Sequence, residues 1–240
     1  MTKEQINSYY LPSFSGDRLG EGRSDFHHYR FIRNDKYGIC LFLDDILQSS
    51  SHDQIIYHDR MTSFALEYVK RPKHVLIIGG AGGGILQQLF NYTEDSLSTV
   101  QIVDIDQKLF EIAPTFMKGW CKRELFNNRK VKIHYQNGAD FIAKTRDKFD
   151  IIFLDVSDPL EITKSIDLYN GEVYKNIFKS LFESGIMVYH TAPLAPQVDI
   201  FRKYYKENIT TIPSKFNSCD VLVKSFEDKW IFNVIQKMKV

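Results

Sequence analysis

The residues able to do chemistry fall in three short stretches: a glycine run after an apolar segment, an acid closing the next segment, and an acid pair further on. His74 to Ile78 is apolar and β-branched, and Gly79-Gly80-Ala81-Gly82-Gly83-Gly84 follows, five glycines in six residues. Glycines there let backbone N–H groups close on a ligand without interference from Cβ atoms, and the succeeding helix turns its positive end to the same place. Asp104 ends the next apolar run, about 20 residues further on, where a carboxylate can accept both hydroxyls of a ribose. No frame of the run satisfies G-x-G-x-x-G, so a nucleoside is the stronger reading and a nicotinamide dinucleotide the weaker. A plain strand-to-helix turn explains one or two glycines, not five.

The third stretch is Phe149-Asp150-Ile151-Ile152-Phe153-Leu154-Asp155-Val156-Ser157-Asp158-Pro159. A buried strand delivers Asp155 to its carboxyl end, and Asp158 follows in a loop shaped by Pro159. Ligands of open α/β sheets sit at the carboxyl ends of the strands, so both acids are expected to share a cleft with the glycines and Asp104. Two carboxylates there can hold a cationic amine and take its proton. The plainer alternative makes Asp155 a cap and Asp158 an Asx-Pro turn former.

The elements that must position these residues alternate along the chain. After the glycines come strands at Val100 to Val103, Lys132 to His134, Ile151 to Leu154 and Ile186 to Tyr189, with helices over Leu109 to Met117, from Ala139, and over Glu172 to Phe182. Such alternation means parallel strands with crossover helices. Asp220 to Ser225 and Trp230 to Ile235 break the rhythm as a terminal antiparallel hairpin. Upstream, Tyr29 to Arg33 and Ile39 to Leu43 read as strands joined by a turn ending in Gly38, a third strand precedes Tyr57, and a helix covers Asp59 to Val69. The fold expected is α/β, a doubly wound and mostly parallel sheet with a terminal antiparallel hairpin, plus a small N-terminal β domain. The division is placed at 1–58 and 59–240.

Composition narrows the function. The 240 residues carry 31 basic and 30 acidic side chains, a formal net charge of +1, with 43% hydrophobic and 14% aromatic content. That is enough for one sizeable core, and it provides no broad field to attract a nucleic acid polymer or an anionic membrane. Cys40, Cys121 and Cys219 make no C-x-x-C and cannot all pair, which fits a reducing compartment. The N-terminus lacks a signal pattern and no stretch reaches the ~18 apolar residues of a span, so a cytoplasmic protein is expected. His27-His28 lacks partners at ligand spacing, so no metal is expected. Lys122-Arg123 with Arg129-Lys130 reads as a solvated face, and Phe178 to Phe182 as core-facing helix positions.

Seven separated motifs, in order, resemble the spermidine synthase or polyamine aminopropyltransferase family. Tyr37-Gly38 to Gln48 is similar to a β segment ending in D-G-x-x-Q, and DQIIYHD at Asp53 to Asp59 to D-E-F-x-Y-[QH]-E. HVLIIGGAGGG is similar to V-L-I-I-G-G-G-D-G-G, Asp104-Ile105-Asp106 to E-I-D, Asn137-Gly138 to D-G, DVSDP to D-x-[ST]-D-P, and LYNGEVYKNIFKSLFESGI to L-[FY]-x-x-E-[FY]-Y with its following strand. The resemblance implies a class I methyltransferase-like fold and transfer of a three-carbon amine from decarboxylated S-adenosylmethionine, leaving methylthioadenosine. It implies a catalytic set of Asp155, Tyr57 and Asp158, and a cofactor-binding set of His27, Gln48, His58, Gly79, Gly80, Gly82, Asp104, Ile105, Asn137 and Gly138. In that set Asp104 meets the ribose, Asn137 the adenine, and Gln48 the nucleoside or its side arm. Relatives are commonly oligomers, and a homodimer is compatible with exposed N-terminal strands.

The departures bear on the substrate. Gly82 stands where the family motif has an acid, His27 near a family glutamine, Asp104 where Glu is usual, and Leu160-Glu161-Ile162-Thr163 where G-P follows D-x-[ST]-D-P. Losing an acid beside the side arm leaves room for a donor that keeps its α-carboxylate, S-adenosylmethionine itself. The expected function is transfer of a 3-aminopropyl or 3-amino-3-carboxypropyl group to a small-molecule or modified-peptide acceptor, a peptide–nucleotide antibiotic of the microcin C type being one candidate. A small-molecule methyltransferase and a non-catalytic nucleoside-binding relative are the alternatives.

Overall fold

A computed structural model describes residues 15–81, 83–157, 164–193, 214–226 and 228–238. Gly82, Asp158 and the Leu160-to-Thr163 segment lie outside the described residues, as do positions 194–197.

The main sheet has seven strands: β5 (His74–Gly79), β6 (Thr99–Asp104), β7 (Val131–Tyr135), β8 (Phe149–Asp155), β9 (Leu181–Pro193), β10 (Ser214–Val223) and β11 (Asp228–Lys237). Their order is β10-β11-β9-β8-β5-β6-β7. Strands β5 to β9 pair in parallel, whereas β11 runs antiparallel to β9 and β10 to β11. The doubly wound sheet with its reversed terminal hairpin is therefore as expected.

The apolar runs explain the layering. Successive strand residues point to opposite faces. Val75, Ile77, Ile102, Ile151 and Phe153 enter one core, with helices α1 (Gln54–Tyr68), α2 (Gly84–Thr93) and α3 (Gln107–Phe116). Leu76, Ile78, Val103, Ile152 and Leu154 enter the other, with α5 (Gly138–Lys144) and α6 (Gly171–Ser180). The short α4 (Arg123–Phe126) precedes β7. Strands buried on both faces must be apolar throughout, which is why these runs lack the alternation of a half-exposed sheet.

A separate antiparallel sheet precedes this unit, with order β1 (Asp17–Arg23), β2 (His28–Asn34), β3 (Gly38–Leu43) and β4 (Ile46–Ser50). The Asn34 side chain accepts from the N–H groups of Lys36 and Tyr37 at 2.9 and 3.0 Å, and Gly38 takes φ 72°, which closes the expected hairpin. Phe31 leaves this sheet for the main core, where it stacks on Phe116 with ring centroids 4.4 Å apart.

Two expectations are corrected, and one strand is added. Helix α1 begins at Gln54 rather than Asp59, so Tyr57 and His58 are helical and the 58/59 division falls in mid-helix. Helix α6 ends at Ser180, which places Leu181 and Phe182 in β9; Phe178 is buried, but Phe182 is 41% exposed. The polar DRLGEGR segment forms β1, pairing along β2. Among the described residues no helix is long and apolar enough to cross a membrane.

The sheet geometry makes one glycine indispensable. Gly79 has φ 87° and is the register partner of Asp155, and a Cβ built on it would overlap the Asp155 carbonyl and press on Val156 Cγ1. Backbone cannot yield cheaply at the centre of a packed sheet. Gly79→Ala is expected to destabilise the fold by at least ~3 kcal/mol, combining overpacking and left-handed strain. Urea denaturation of the purified variant checks this.

Candidate active site

Strand register assembles the site. Gly79 pairs with Asp155, and Ile78 pairs with Val103, which sets Asp104 at the next step on the other side. Thus Asp104, Gly79 and Asp155 end three neighbouring strands in one row. Strand order reverses around β5, and the crevice at such a switch point is the ligand position of open α/β sheets. A cleft lies there, lined by His27, Gln48, Tyr57, His58, Gly79, Gly80, Asp104, Ile105, Asn137, Gly138 and Asp155. Every described residue of the expected site is therefore in one cleft, and only Gly82 and Asp158 lie outside the described residues.

The glycines divide their work. Gly79, Gly80 and Ala81 line the cleft, the first two with φ 87° and 85°. Gly83 takes φ 71° as it opens α2. Gly84 serves packing: a Cβ there would overlap the His58 imidazole, so the missing side chain is what seats that ring. Among the described glycines of the run only part is thus available to a ligand; the left-handed turn at Gly83 and close packing at Gly84, invisible in composition, account for the others.

Asp104 keeps one carboxylate oxygen engaged, Oδ1 accepting from the Asp106 N–H at 2.8 Å. Burial pushes its carboxyl up to about 6; the Asp106 charge adds to this, while the Asp106 and Ala81 backbone N–H groups and His27 oppose it. Asp106 caps α3 by accepting from Leu109 N at 3.0 Å and receives the Ser24 hydroxyl at 2.6 Å. Asn137 caps α5, its Oδ1 accepting from Ala139 and Asp140 N–H groups at 2.8 and 3.2 Å, which leaves its amide nitrogen for the cleft.

On the Asp155 side, His58 is buried, and burial holds its imidazole below the ordinary range against the opposing pull of Asp155. It is a neutral ring at neutral pH. Tyr57 stands edge-on to His58, Trp230 and Phe232, with centroids 5.1, 5.6 and 4.9 Å apart. Gln48 accepts the Ser157 hydroxyl at 3.0 Å, which ties β4 to the loop after Asp155. Tyr169 O–H donates to the Ser157 carbonyl at 3.0 Å, and His190 Nε2–H donates to the Val156 carbonyl at 2.8 Å, fixing the same loop from the other side.

Sequence reasoning missed His190, Trp230 and Asp53, all of which line the cleft. His190 lies near the carboxyl end of β9, one strand beyond Asp155, and that placement was a usable signal. Trp230 arrives on β11, a strand expected from the sequence, but its approach to the cleft is a tertiary contact that nothing local announces. Asp53 is buried and accepts the Ser225 N–H at 2.6 Å and the Lys224 N–H at 3.3 Å, joining α1 to the turn between β10 and β11. Among the described residues no group of three or more His, Cys, Asp or Glu side chains is arranged to hold a metal ion.

The arrangement provides one half with glycine backbone, a carboxylate and a capping amide, joined to a half with one carboxylate among aromatic rings. That is the layout of a nucleoside-dependent transferase on a methyltransferase-like sheet. Comparisons with known proteins carry this further. Residues 54–240 match the model of the spermine/spermidine synthase domain. The chain is 31% identical over 210 residues to a polyamine aminopropyltransferase of Methanocaldococcus jannaschii, covering 86% of this chain and 69% of that protein. It is 27% identical to one from Bacillus subtilis, covering 89% and 80%. Spermidine synthase from Thermotoga maritima superposes with a TM-score of 0.80 at 25% identity, over 92% of this chain and 72% of that one. A spermidine synthase in complex with the transition-state analogue AdoDATO shares the fold, with a TM-score of 0.82 at 24% identity, over 92% and 73%. The chain belongs to the spermine/spermidine synthase family and is a transferase-type enzyme.

Burial of Asp104 couples stability to pH with a definite sign. Its folded value of about 6 lies above the 3.8 of an ordinary Asp, so the folded state favours the protonated form. The destabilisation is full above about 6 and fades as pH falls towards 3.8. Asp104→Asn, which retains an acceptor oxygen, should therefore raise the stability of the ligand-free protein at pH 7.5, with the gain shrinking at pH 4.5. Thermal denaturation at the two pH values measures it; an equal or larger gain at pH 4.5 would contradict the assignment.

Proposed function

We propose that the cleft seats an adenosyl sulfonium and transfers its three-carbon, amine-bearing arm to a nucleophilic amine, releasing methylthioadenosine. The observation that carries this is the row of Asp104, Gly79 and Asp155 on adjacent strand ends, lining one cleft with Tyr57 and Asn137. Asp104 accepts the ribose hydroxyls, Gly79 and Gly80 lie against the nucleoside, and Asn137 presents its amide to the base, with Ile105 and Gly138 beside it. Asp155, aided by Tyr57, orients the acceptor ammonium and takes its proton. The freed amine attacks the carbon next to sulfur; the C–N bond forms, the C–S bond breaks, and its electron pair stays on sulfur as a neutral thioether. A sulfonium leaves without acid assistance, so placement and deprotonation are what the protein must supply. Asp158 is assigned to the acceptor side from its motif alone, and Gln48 holds the loop that both substrates pass.

The names of the relatives favour decarboxylated S-adenosylmethionine as donor and a polyamine as acceptor. A second donor is favoured by Gly82, which occupies the place of the family motif's acid and so removes a carboxylate that would repel the α-carboxylate of S-adenosylmethionine. Transfer of a 3-amino-3-carboxypropyl group to a small molecule or a modified peptide is the reading that Gly82 supports.

Incubation with each donor and a panel of amines, read by mass spectrometry, tests the proposal. Methylthioadenosine and a product heavier by the arm are expected from at least one donor; S-adenosylhomocysteine as the nucleoside product would mean methyl transfer instead. Asp155→Asn should lower kcat by at least ~100-fold, the scale of a lost general base, while methylthioadenosine affinity stays within several-fold. Full turnover in that variant would remove Asp155 from its role. Because the Asp104 carboxyl must be ionised to accept two hydroxyls, methylthioadenosine affinity is expected to fall as pH drops below about 6.

A further inference from the structure

The hairpin between β3 and β4 turns through Asp44 and Asp45, at φ 51° and 72°, with Leu43 paired to Ile46. A two-residue turn of this hand is normally built from Asn-Gly, Asp-Gly or Gly-Gly, so Asp44 suits the first position while the Asp45 side chain is strained at the second. The family's D-G-x-x-Q pattern has glycine at the second position, where this chain has Asp45. Asp45 pairs with Arg30 at 2.7 Å. Asp44 faces the other way: its Oδ1 accepts the His28 backbone N–H at 2.9 Å, and its Oδ2 lies 2.8 Å from His27 Nδ1. A carboxylate can only accept, so Nδ1 carries the proton.

His27 is held at a second point. Its backbone N–H donates to Ser24 Oγ at 2.9 Å, Ser24 donates to Asp106 Oδ2 at 2.6 Å, and Asp106 N–H donates to Asp104 Oδ1 at 2.8 Å. The N-terminal sheet is thereby linked to the tip of β6, and the imidazole lines the cleft with Asp104. With Nδ1 committed to Asp44, Nε2 is the ring nitrogen left to meet a ligand.

We propose that Asp44 is a positioning residue for nucleoside binding: it holds His27 in one tautomer and one orientation so that Nε2 meets the ribose whose hydroxyls rest on Asp104. The inference depends on the adenosyl reading above. It gives Asp44 a purpose beyond the turn that it favours, since both its oxygens are used, one on the His28 N–H and one on His27 Nδ1–H. The arrangement follows the logic by which an outer carboxylate fixes the working nitrogen of a histidine.

Asp44→Asn tests it, because asparagine tolerates the turn and matches the shape. With the amide oxygen turned to His27, the His28 N–H loses its acceptor; with the amide nitrogen there, the ring must take the other tautomer, Nδ1 accepting and Nε2 carrying the proton. Titration calorimetry with methylthioadenosine is expected to show about tenfold weaker binding, the scale of one charge-assisted hydrogen bond, with the melting temperature within a few degrees of the parent. Asp45→Asn changes the neighbouring turn position without touching His27 and should bind as the parent does. In a His27→Ala background, Asp44→Asn should cost nothing further. Unchanged affinity in Asp44→Asn, or an equal loss in Asp45→Asn, would overturn the positioning role. Failure of the parent itself to bind methylthioadenosine would instead remove the adenosyl reading on which it rests.

Discussion

One spacing governs this molecule: the contact between β5 and β8 at the Gly79–Asp155 pair, which is close enough to exclude a side chain on Gly79. Because the backbones approach there, Asp155 ends its strand beside the glycine turn rather than a residue's width away. The parallel register then carries the same row across to Asp104. Hydrogen bonding between strands, not any feature of the loops, is what brings Asp104 and Asp155 to opposite sides of one glycine backbone.

The surrounding side chains restrain the loop that leaves this row. Gln48 and Tyr169 hold it at Ser157, His190 holds it at Val156, and Asp53 ties the start of α1 to the turn of the terminal hairpin. These are hydrogen bonds between elements distant in sequence, so each immobilises a segment that would otherwise lose its geometry to chain entropy. Beside these ties, Tyr57 packs edge-on against Trp230 and Phe232 and brings α1 against β11 as an aromatic wall. Substrates would enter a frame already formed, the condition under which positioning contributes to rate.

The strands that carry the site are legible in the sequence because burial on both faces demands unbroken apolar runs, as in HVLIIG and FDIIFLD. Motif order is legible too, and it assigns the family that residues 54–240 match. The start of α1 is not, because Ile55 and Ile56 are exposed at 53% and 42% and break the apolar period. Nor is β1, whose polar DRLGEGR gives no hydrophobic signal; its Gly20 and Gly22 approach the rings of Phe116 and Tyr29 too closely for a side chain. Trp230 and the Asp44–His27 pair are contacts of tertiary origin, without a local pattern to announce them.

A crystal structure with methylthioadenosine bound addresses the convergence of these groups most directly. The ribose hydroxyls should lie against the Asp104 carboxylate, the glycine backbone along the nucleoside, and the thioether sulfur should face Asp155 across the open half of the cleft. A nucleoside found elsewhere, or one whose sulfur points away from Asp155, would contradict the proposed chemistry.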